Sequence, residues 1–140
     1  MKTRNLMAAF AFALCLGLGA YENFDAAYKD AQRLEKENKN PEALVALQKA
    51  AALSQADWQR YRVFATAANI HLKTQKPEEA AKQVAALQAL ALNQEQTIAL
   101  HLLNARVLTA QKKTADATAE LRKIIAVQEV GGQAVLGRQD

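Results

Sequence analysis

Two stretches of the chain, at about residues 57–74 and 94–112, carry apolar side chains at intervals of three and four residues. The first stretch has one stripe formed by Tyr61, Phe64, Ala68 and Leu72 and a second formed by Val63, Ala67 and Ile70. The other stretch repeats the arrangement with Ile98, His101, Ala105 and Leu108 beside Leu100, Leu103 and Val107. This spacing predicts α-helices, and two stripes on one helix indicate burial against more than one neighbour.

Helix-breaking residues divide the rest of the chain in a compatible way. No glycine occurs between residues 20 and 130, and the only two prolines, Pro41 and Pro77, fall at predicted turns. Asn40, Asp57 and Asn93 stand where N-terminal caps are expected. We therefore predict an all-α protein with six helices, at about residues 23–37, 41–54, 57–74, 77–92, 94–112 and 114–130.

Small residues recur along the predicted helices with a period of 37 residues. One set of positions is Ala43, Ala80 and Ala117, and a second set is Ala31, Ala68 and Ala105. Each member of the first set begins a segment with the spacing A-x3-apolar-x2-apolar. A period in this range predicts stacked helix pairs, because one pair cannot bury its apolar face alone. An irregular antiparallel bundle of the same helices is the alternative.

These segments resemble the second helix of the tetratricopeptide repeat, whose pattern there is A-x3-F. The matching pairs are Ala43/Leu47, Ala80/Val84 and Ala117/Leu121, and the second set of alanines holds the small-residue position of the first helix. The first-helix aromatics depart from the family, because Phe64 stands at the tryptophan position but Ala27 and His101 occupy it elsewhere. The resemblance covers about residues 21–130 as three degenerate repeats. It implies a right-handed array of antiparallel helix pairs, that is, a tetratricopeptide-like α-solenoid.

In that family, the first helices of successive repeats line a concave groove that holds a peptide or a helix. The resemblance therefore implies a partner-binding face formed by Tyr28, Gln32, Arg62, Asn69, Lys73, Leu102 and Arg106. Amides and guanidinium groups can bind peptide backbone and carboxylates. Some members clamp a C-terminal carboxylate with lysine, asparagine and arginine, whereas Tyr28 and Leu102 stand here where lysines are needed. The alternative is that these positions are ordinary solvated surface.

The N-terminus has the pattern of an export signal. It begins with Lys2 and Arg4, continues with a largely apolar run at 6–20 and then turns polar. This pattern predicts a secretory signal peptide over residues 1–20, because fifteen helical residues rise only about 22 Å, too little to span a bilayer. We expect a periplasmic or secreted protein of a bacterial envelope. The alternatives are a retained N-terminal helix that anchors the chain in the membrane and lipidation at Cys15.

Charge and motifs argue against several classes of function. The net charge of +4 falls to +2 without Lys2 and Arg4, which is too weak to indicate nucleic-acid binding. The sequence between residues 20 and 130 has no glycine-rich phosphate loop and no G-x-S-x-G nucleophile motif. The two histidines, His71 and His101, lack the spacing of a metal site and read as packed residues. We expect no enzymatic activity, cofactor or metal.

The predicted sixth helix has apolar residues near its end, at Ile124, Ile125, Val127 and Val130, and we expect a flexible tail at 131–140. Because no further helix is predicted to cover these residues, we expect self-association or docking of another chain there. The sequence as a whole predicts an exported, non-catalytic scaffold or assembly factor that holds a peptide or partner protein in its groove. The alternative is a membrane-tethered structural component that oligomerises through the sixth helix.

Overall fold

The computed structural model describes residues 20–136, with side chains to residue 132. All regular structure in this range is helical, which confirms the predicted all-α class and the six helices. The helices are α1 (Phe24–Lys36), α2 (Asn40–Leu53), α3 (Asp57–Lys73), α4 (Pro77–Gln88), α5 (Gln94–Ala110) and α6 (Thr114–Leu136). None of these six combines the length and the apolar character needed to cross a bilayer. The signal segment to residue 19, including Cys15, and residues 137–140 lie outside the described residues.

The turn inside each helix pair repeats with the period found in the sequence. Its left-handed residues are Asn38, Gln75 and Lys112, with φ angles of 59°, 57° and 63°. The following residue donates its backbone N–H to the carbonyl five residues earlier, at 2.8–2.9 Å, in the pairs Lys39–Leu34, Lys76–His71 and Lys113–Leu108. This is the Schellman closure of a helix C-terminus. The 37-residue period is therefore a repeat of backbone geometry as well as of residue type.

The N-terminal caps follow the predictions only in part. At α5 the Asn93 side chain accepts the backbone N–H of Gln96 at 2.8 Å, and the Gln96 side chain accepts that of Asn93 at 3.1 Å, which confirms a capping box. The predicted caps Asn40 and Asp57 are wrong, because each residue is already the first of its helix. The tight Schellman turn leaves only Lys39 before α2, so Asn40 enters the helix.

Two helices end at places other than those predicted. α4 stops at Gln88, and in the connection that follows the Asp57 carboxylate accepts the backbone N–H of Ala91 at 3.1 Å. α6 continues through two glycines to Leu136, and neither glycine has a positive φ angle. A glycine lowers helix stability by about 1 kcal/mol but does not by itself end a helix. Residues 131–136, predicted as part of a tail, are therefore helical.

Helix contacts place the odd-numbered helices in a row. Consecutive helices contact one another, most extensively within the pairs α1–α2, α3–α4 and α5–α6. In addition, α1 contacts α3 and α3 contacts α5, whereas α2, α4 and α6 make no contacts with one another within the described residues. The face presented by α1, α3 and α5 is therefore shared by all three helix pairs.

Alanine supplies 10 of the 21 buried hydrophobic residues in the described part of the chain. The fully buried small residues of the first pair are Ala27, Ala31, Ala43, Ala46 and Ala50. One cluster of buried side chains joins α1, α2 and α3, and a second joins α3, α4 and α5. Phe64 of α3 packs against both clusters. Small side chains permit close approach of the helix axes, which a core poor in large residues requires.

Candidate functional site

The seven residues predicted to bind a partner all lie on α1, α3 and α5, the three helices that contact one another in a row. We call this surface the odd-helix face and define it by Tyr28, Gln32, Arg62, Asn69, Lys73, Leu102 and Arg106. The structure divides these residues into four local groups. Each group contains contacts that cross from one helix to another or a cleft between side chains.

The first group joins α1 to α3 through Tyr28, which is 6% exposed. Its hydroxyl lies 3.0 Å from Oγ1 of Thr66, and the guanidinium of Arg62 lies 4.3 Å from the centre of its ring. Arg62 also lies 5.9 Å from the ring of Trp58, which is 51% exposed. Tyr28 is thus a buried support that holds the exposed Arg62 by a cation–π contact, and it does not face solvent as a free ring.

Trp58 also belongs to this group, although it is not one of the seven residues predicted from the sequence. It stands four residues before Arg62 on the same helix, and residues at that spacing are surface neighbours. Its ring is also edge-on to Phe24, with centres 5.9 Å apart. The four-residue spacing between Trp58 and Arg62 could therefore have indicated this contact from the sequence. The apolar stripes used to predict the helix do not include Trp58.

The second group joins α3 to α5 through two side chains that are 37 residues apart in the sequence. Nη1 of Arg106 donates to Oδ1 of Asn69 at 2.9 Å, and Nδ2 of Asn69 donates to the carbonyl of Ala65 at 2.9 Å. A guanidinium has five N–H donors, so this bond leaves most of the Arg106 donors open to an acceptor. The amide of Asn69 orients the arginine.

The third group lies where the C-terminal halves of α1 and α3 meet. Nζ of Lys73 donates to Oδ1 of Asn38 at 3.0 Å. A small cleft of about 350 Å³ lies beside this bond and is lined by Gln32, Glu35, Lys36 and Lys73. The cleft contains both signs of charge, because Glu35 faces the same space as the two lysines. It suits a polar segment better than a simple anion.

The fourth group is apolar and lies at the end of the row. Leu102 is 47% exposed and lines a groove of about 710 Å³ together with Leu72, Leu121 and Arg106. Leu121 comes from α6, so this groove extends the odd-helix face onto the last helix. Its lining can hold an aliphatic side chain beside a guanidinium.

The electrostatics of the face are set by three cations. Within the described residues, no carboxylate lies in ion-pair distance of Arg62, Lys73 or Arg106. Some other exposed cations in the same range are paired, such as Arg33 with Asp30 at 2.6 Å and Lys82 with Glu79 at 2.8 Å, whereas Lys29 and Arg122 are not. The three cations of the odd-helix face are therefore not ion-paired, although Glu35 shares the cleft with Lys73.

The two histidines lie in separate surroundings. Nδ1 of His101 donates to the buried carboxylate of Glu120 at 2.7 Å. Burial raises the pKa of Glu120, but hydrogen bonds from Lys123, His101 and Asn104 outweigh it and lower the pKa to about 2. The arrangement holds α5 to α6.

His71 instead lines a cavity of about 300 Å³ between α2, α3 and α4. Its Nδ1 is buried, with no hydrogen-bond partner in the described part of the chain. Burial lowers the pKa of His71, and the nearby carboxylate of Glu79 opposes that shift. No group of three or more metal-ligating side chains is found among the residues that the structure describes.

Comparisons with family models, with curated proteins and with solved structures found no match to this chain. The resemblance to tetratricopeptide repeats therefore rests on the residues and spacing quoted above.

Proposed function

We propose that this protein is a non-catalytic scaffold or assembly factor that binds a peptide, or an exposed segment of a partner protein, on the odd-helix face. In this proposal the helix pairs form a right-handed tetratricopeptide-like array. The protein acts after export, in the periplasm or outside the cell. The observation that carries the proposal is the row of α1, α3 and α5, which brings the predicted binding residues of three separate repeats onto one surface.

Two further features support the array. The Schellman turns recur every 37 residues, and Asn69 and Arg106, which are bonded to each other, stand at equivalent positions of adjacent repeats. A regular displacement between repeats is what a stacked array requires. In an irregular bundle there is no reason for equivalent side chains of successive units to be neighbours.

The chemistry of the face indicates the kind of partner. Arg62 and Arg106 are exposed, are oriented by Tyr28 and Asn69 respectively, and have guanidinium donors to spare. Guanidinium groups bind carboxylates and backbone carbonyls, often through two parallel bonds. Beside Arg106, the groove at Leu102 can hold an aliphatic side chain. The partner segment that fits is therefore a short peptide with a carboxylate and an adjacent aliphatic residue.

Site-specific photo-crosslinking of the full chain in the cell tests the location of binding. A photoreactive residue at Leu102, on the odd-helix face, is compared with one at Ala85, which is exposed on α4. We expect an adduct of defined mass from Leu102 and none from Ala85. Equal adducts from both positions, or an adduct from Ala85 alone, contradict the proposed face.

Peptides from the crosslinked partner then test the chemistry. We expect Arg62→Gln and Arg106→Gln each to weaken binding by about tenfold, since a charge-assisted hydrogen bond contributes about 1.5–3 kcal/mol. Lys76→Gln, an exposed cation in the turn before α4, is the matched control and should leave affinity unchanged. Removing the peptide's carboxylates should lower affinity in the wild type but have little further effect in the arginine variants. If removing the peptide's carboxylates lowers the affinity of the wild type and of the arginine variants by the same factor, carboxylate recognition by this face is not the source of affinity.

A further inference from the structure

The two ends of the helix row differ in what they expose. Leu47 on α2 and Val84 on α4 stand at equivalent positions of the repeat, where the next helix pair covers them. Leu47 is 1% exposed and Val84 is 3% exposed. The equivalent residue of the last pair, Leu121, is 45% exposed, because no described helix follows α6. Ile125, one turn later, is 58% exposed. The last pair thus presents an aliphatic surface where the earlier pairs have a covered one.

The opposite end has a polar surface. α3 packs onto the preceding pair through Val63, Ala67 and Ile70. The residues 37 positions earlier, on α1, are Ala26, Asp30 and Arg33. The Arg33 guanidinium is ion-paired with the Asp30 carboxylate at 2.6 Å and with the Glu37 carboxylate at 2.7 Å. Docking α1 of one copy onto α6 of another would bury these charges against leucine and isoleucine, which is costly. Head-to-tail stacking of copies is therefore disfavoured.

Two charges flank the aliphatic surface of α6. Arg122 and Glu129 are both exposed, and each lies about one turn from Ile125, on the same side of the helix. Neither has an ion-pair partner among the residues whose side chains are described. Gly132 lies on the same face, and a Cβ placed there would meet nothing within 4 Å, so the surface is open to close approach.

We propose that α6 pairs with α6 of a second copy in an antiparallel, two-fold symmetric dimer. An axis close to residue 126 sets Arg122 of each copy opposite Glu129 of the other. It also sets Leu121 of each copy close to Gly132 of the other. This arrangement thus forms two Arg122–Glu129 ion pairs between the copies and covers the aliphatic surface of each. In a parallel pairing the charged residues of the two copies would lie on opposite sides of the seam, so that neither charge would meet its opposite.

Charge exchange in the full 140-residue chain tests this arrangement by sedimentation equilibrium. We expect wild type to show a monomer–dimer equilibrium, and we expect Arg122→Glu and Glu129→Arg each to weaken the dimer by about tenfold or more, because two attractions become two repulsions. Mixing the two single variants should restore association as a heterodimer, since one copy then offers two negative and the other two positive residues. The double variant, with the charges exchanged, should associate as wild type does. Lys29→Glu on α1, an exposed cation whose reversal changes the net charge equally, is the matched control.

Several outcomes would overturn the proposal. A wild-type chain that remains monomeric up to about 200 µM excludes the dimer. Single variants that associate as well as wild type place any self-association elsewhere, including at residues 1–19. Loss in the single variants without recovery in their mixture rejects the antiparallel arrangement. Ile125→Asp separates folding from association, because an exposed residue can be changed without harm to the helix, and we expect full helicity with no dimer.

Discussion

Replacing Glu120 by glutamine removes a charge that is buried between α5 and α6. Among the described residues, Glu120 is the one buried charged residue, at 5% exposure. It accepts hydrogen bonds from Nδ1 of His101 and from Nζ of Lys123, each at 2.7 Å. The substitution keeps the size and shape of the side chain. The change in stability caused by Glu120→Gln therefore measures the loss of the charge and of its hydrogen bonds, because the packing changes little.

The magnitude follows from the pKa of the carboxyl group. A pKa lowered from 4.5 to about 2 corresponds to about 3 kcal/mol of stability when the group is ionised in both the folded and unfolded chains. The contribution is complete above the unfolded pKa and is lost as the pH falls towards the folded one. At pH 3 about 2 kcal/mol of it should be gone.

We therefore expect Glu120→Gln to destabilise the protein by up to about 3 kcal/mol at pH 5.5 and by much less at pH 3. Urea unfolding followed by circular dichroism at the two pH values measures the difference. Glu22→Gln, at an exposed glutamate before α1, is the control and should change stability by less than about 0.5 kcal/mol at either pH. A gap between wild type and Glu120→Gln that is the same at both pH values would refute the reasoning.

Three further predictions concern the repeat. Leu47→Ala should lower the free energy of unfolding by about 2–5 kcal/mol and Leu121→Ala by less than about 1 kcal/mol, because the first is 1% and the second 45% exposed at equivalent positions. The comparison is made at a protein concentration low enough for the chain to be monomeric, and equal losses there would show that the last pair is covered within one chain as the first is. Gln75→Gly should raise stability by about 0.5–1 kcal/mol because its φ angle is 57°, whereas Ala85→Gly within α4 should lower it by a similar amount; thermal unfolding measures both. Ala68→Leu should cost about 1–3 kcal/mol in urea unfolding because Ala68 is fully buried, and Ala85→Leu at an exposed position serves as its neutral control.

The odd-helix face could be predicted from the sequence as a set of positions, but not as a set of contacts. The repeat assigned all seven residues to first helices, and the structure places them on α1, α3 and α5. The sequence repeat did not reveal that Tyr28 is buried beneath Arg62, nor that Arg106 and Asn69 are hydrogen-bonded to each other. Such contacts depend on how far each helix is displaced from its neighbour, and a spacing along one chain does not specify that distance.

The helix ends also divide into those that the local sequence predicts and those that depend on contacts between helices. The capping box at Asn93 and Gln96 was readable because both partners lie within one turn. The bond that holds the connection after α4 could not be predicted in this way, because the Asp57 carboxylate that accepts the Ala91 N–H comes from a different helix. The tight turn before α2 likewise moved Asn40 from the predicted cap into the helix.

Helix class, helix number and the 37-residue period are local properties of this chain, because they depend on the spacing of apolar side chains, glycine and proline within a few turns. The partners of Asp57 and Arg106 and the difference in exposure between Leu47 and Leu121 are properties of the assembled helices. Leu47 and Leu121 occupy the same position in the repeat, yet among the described residues a following helix pair covers Leu47 and none covers Leu121. Burial depends on the neighbours that meet a residue in space, and those neighbours exist only once the helices have packed.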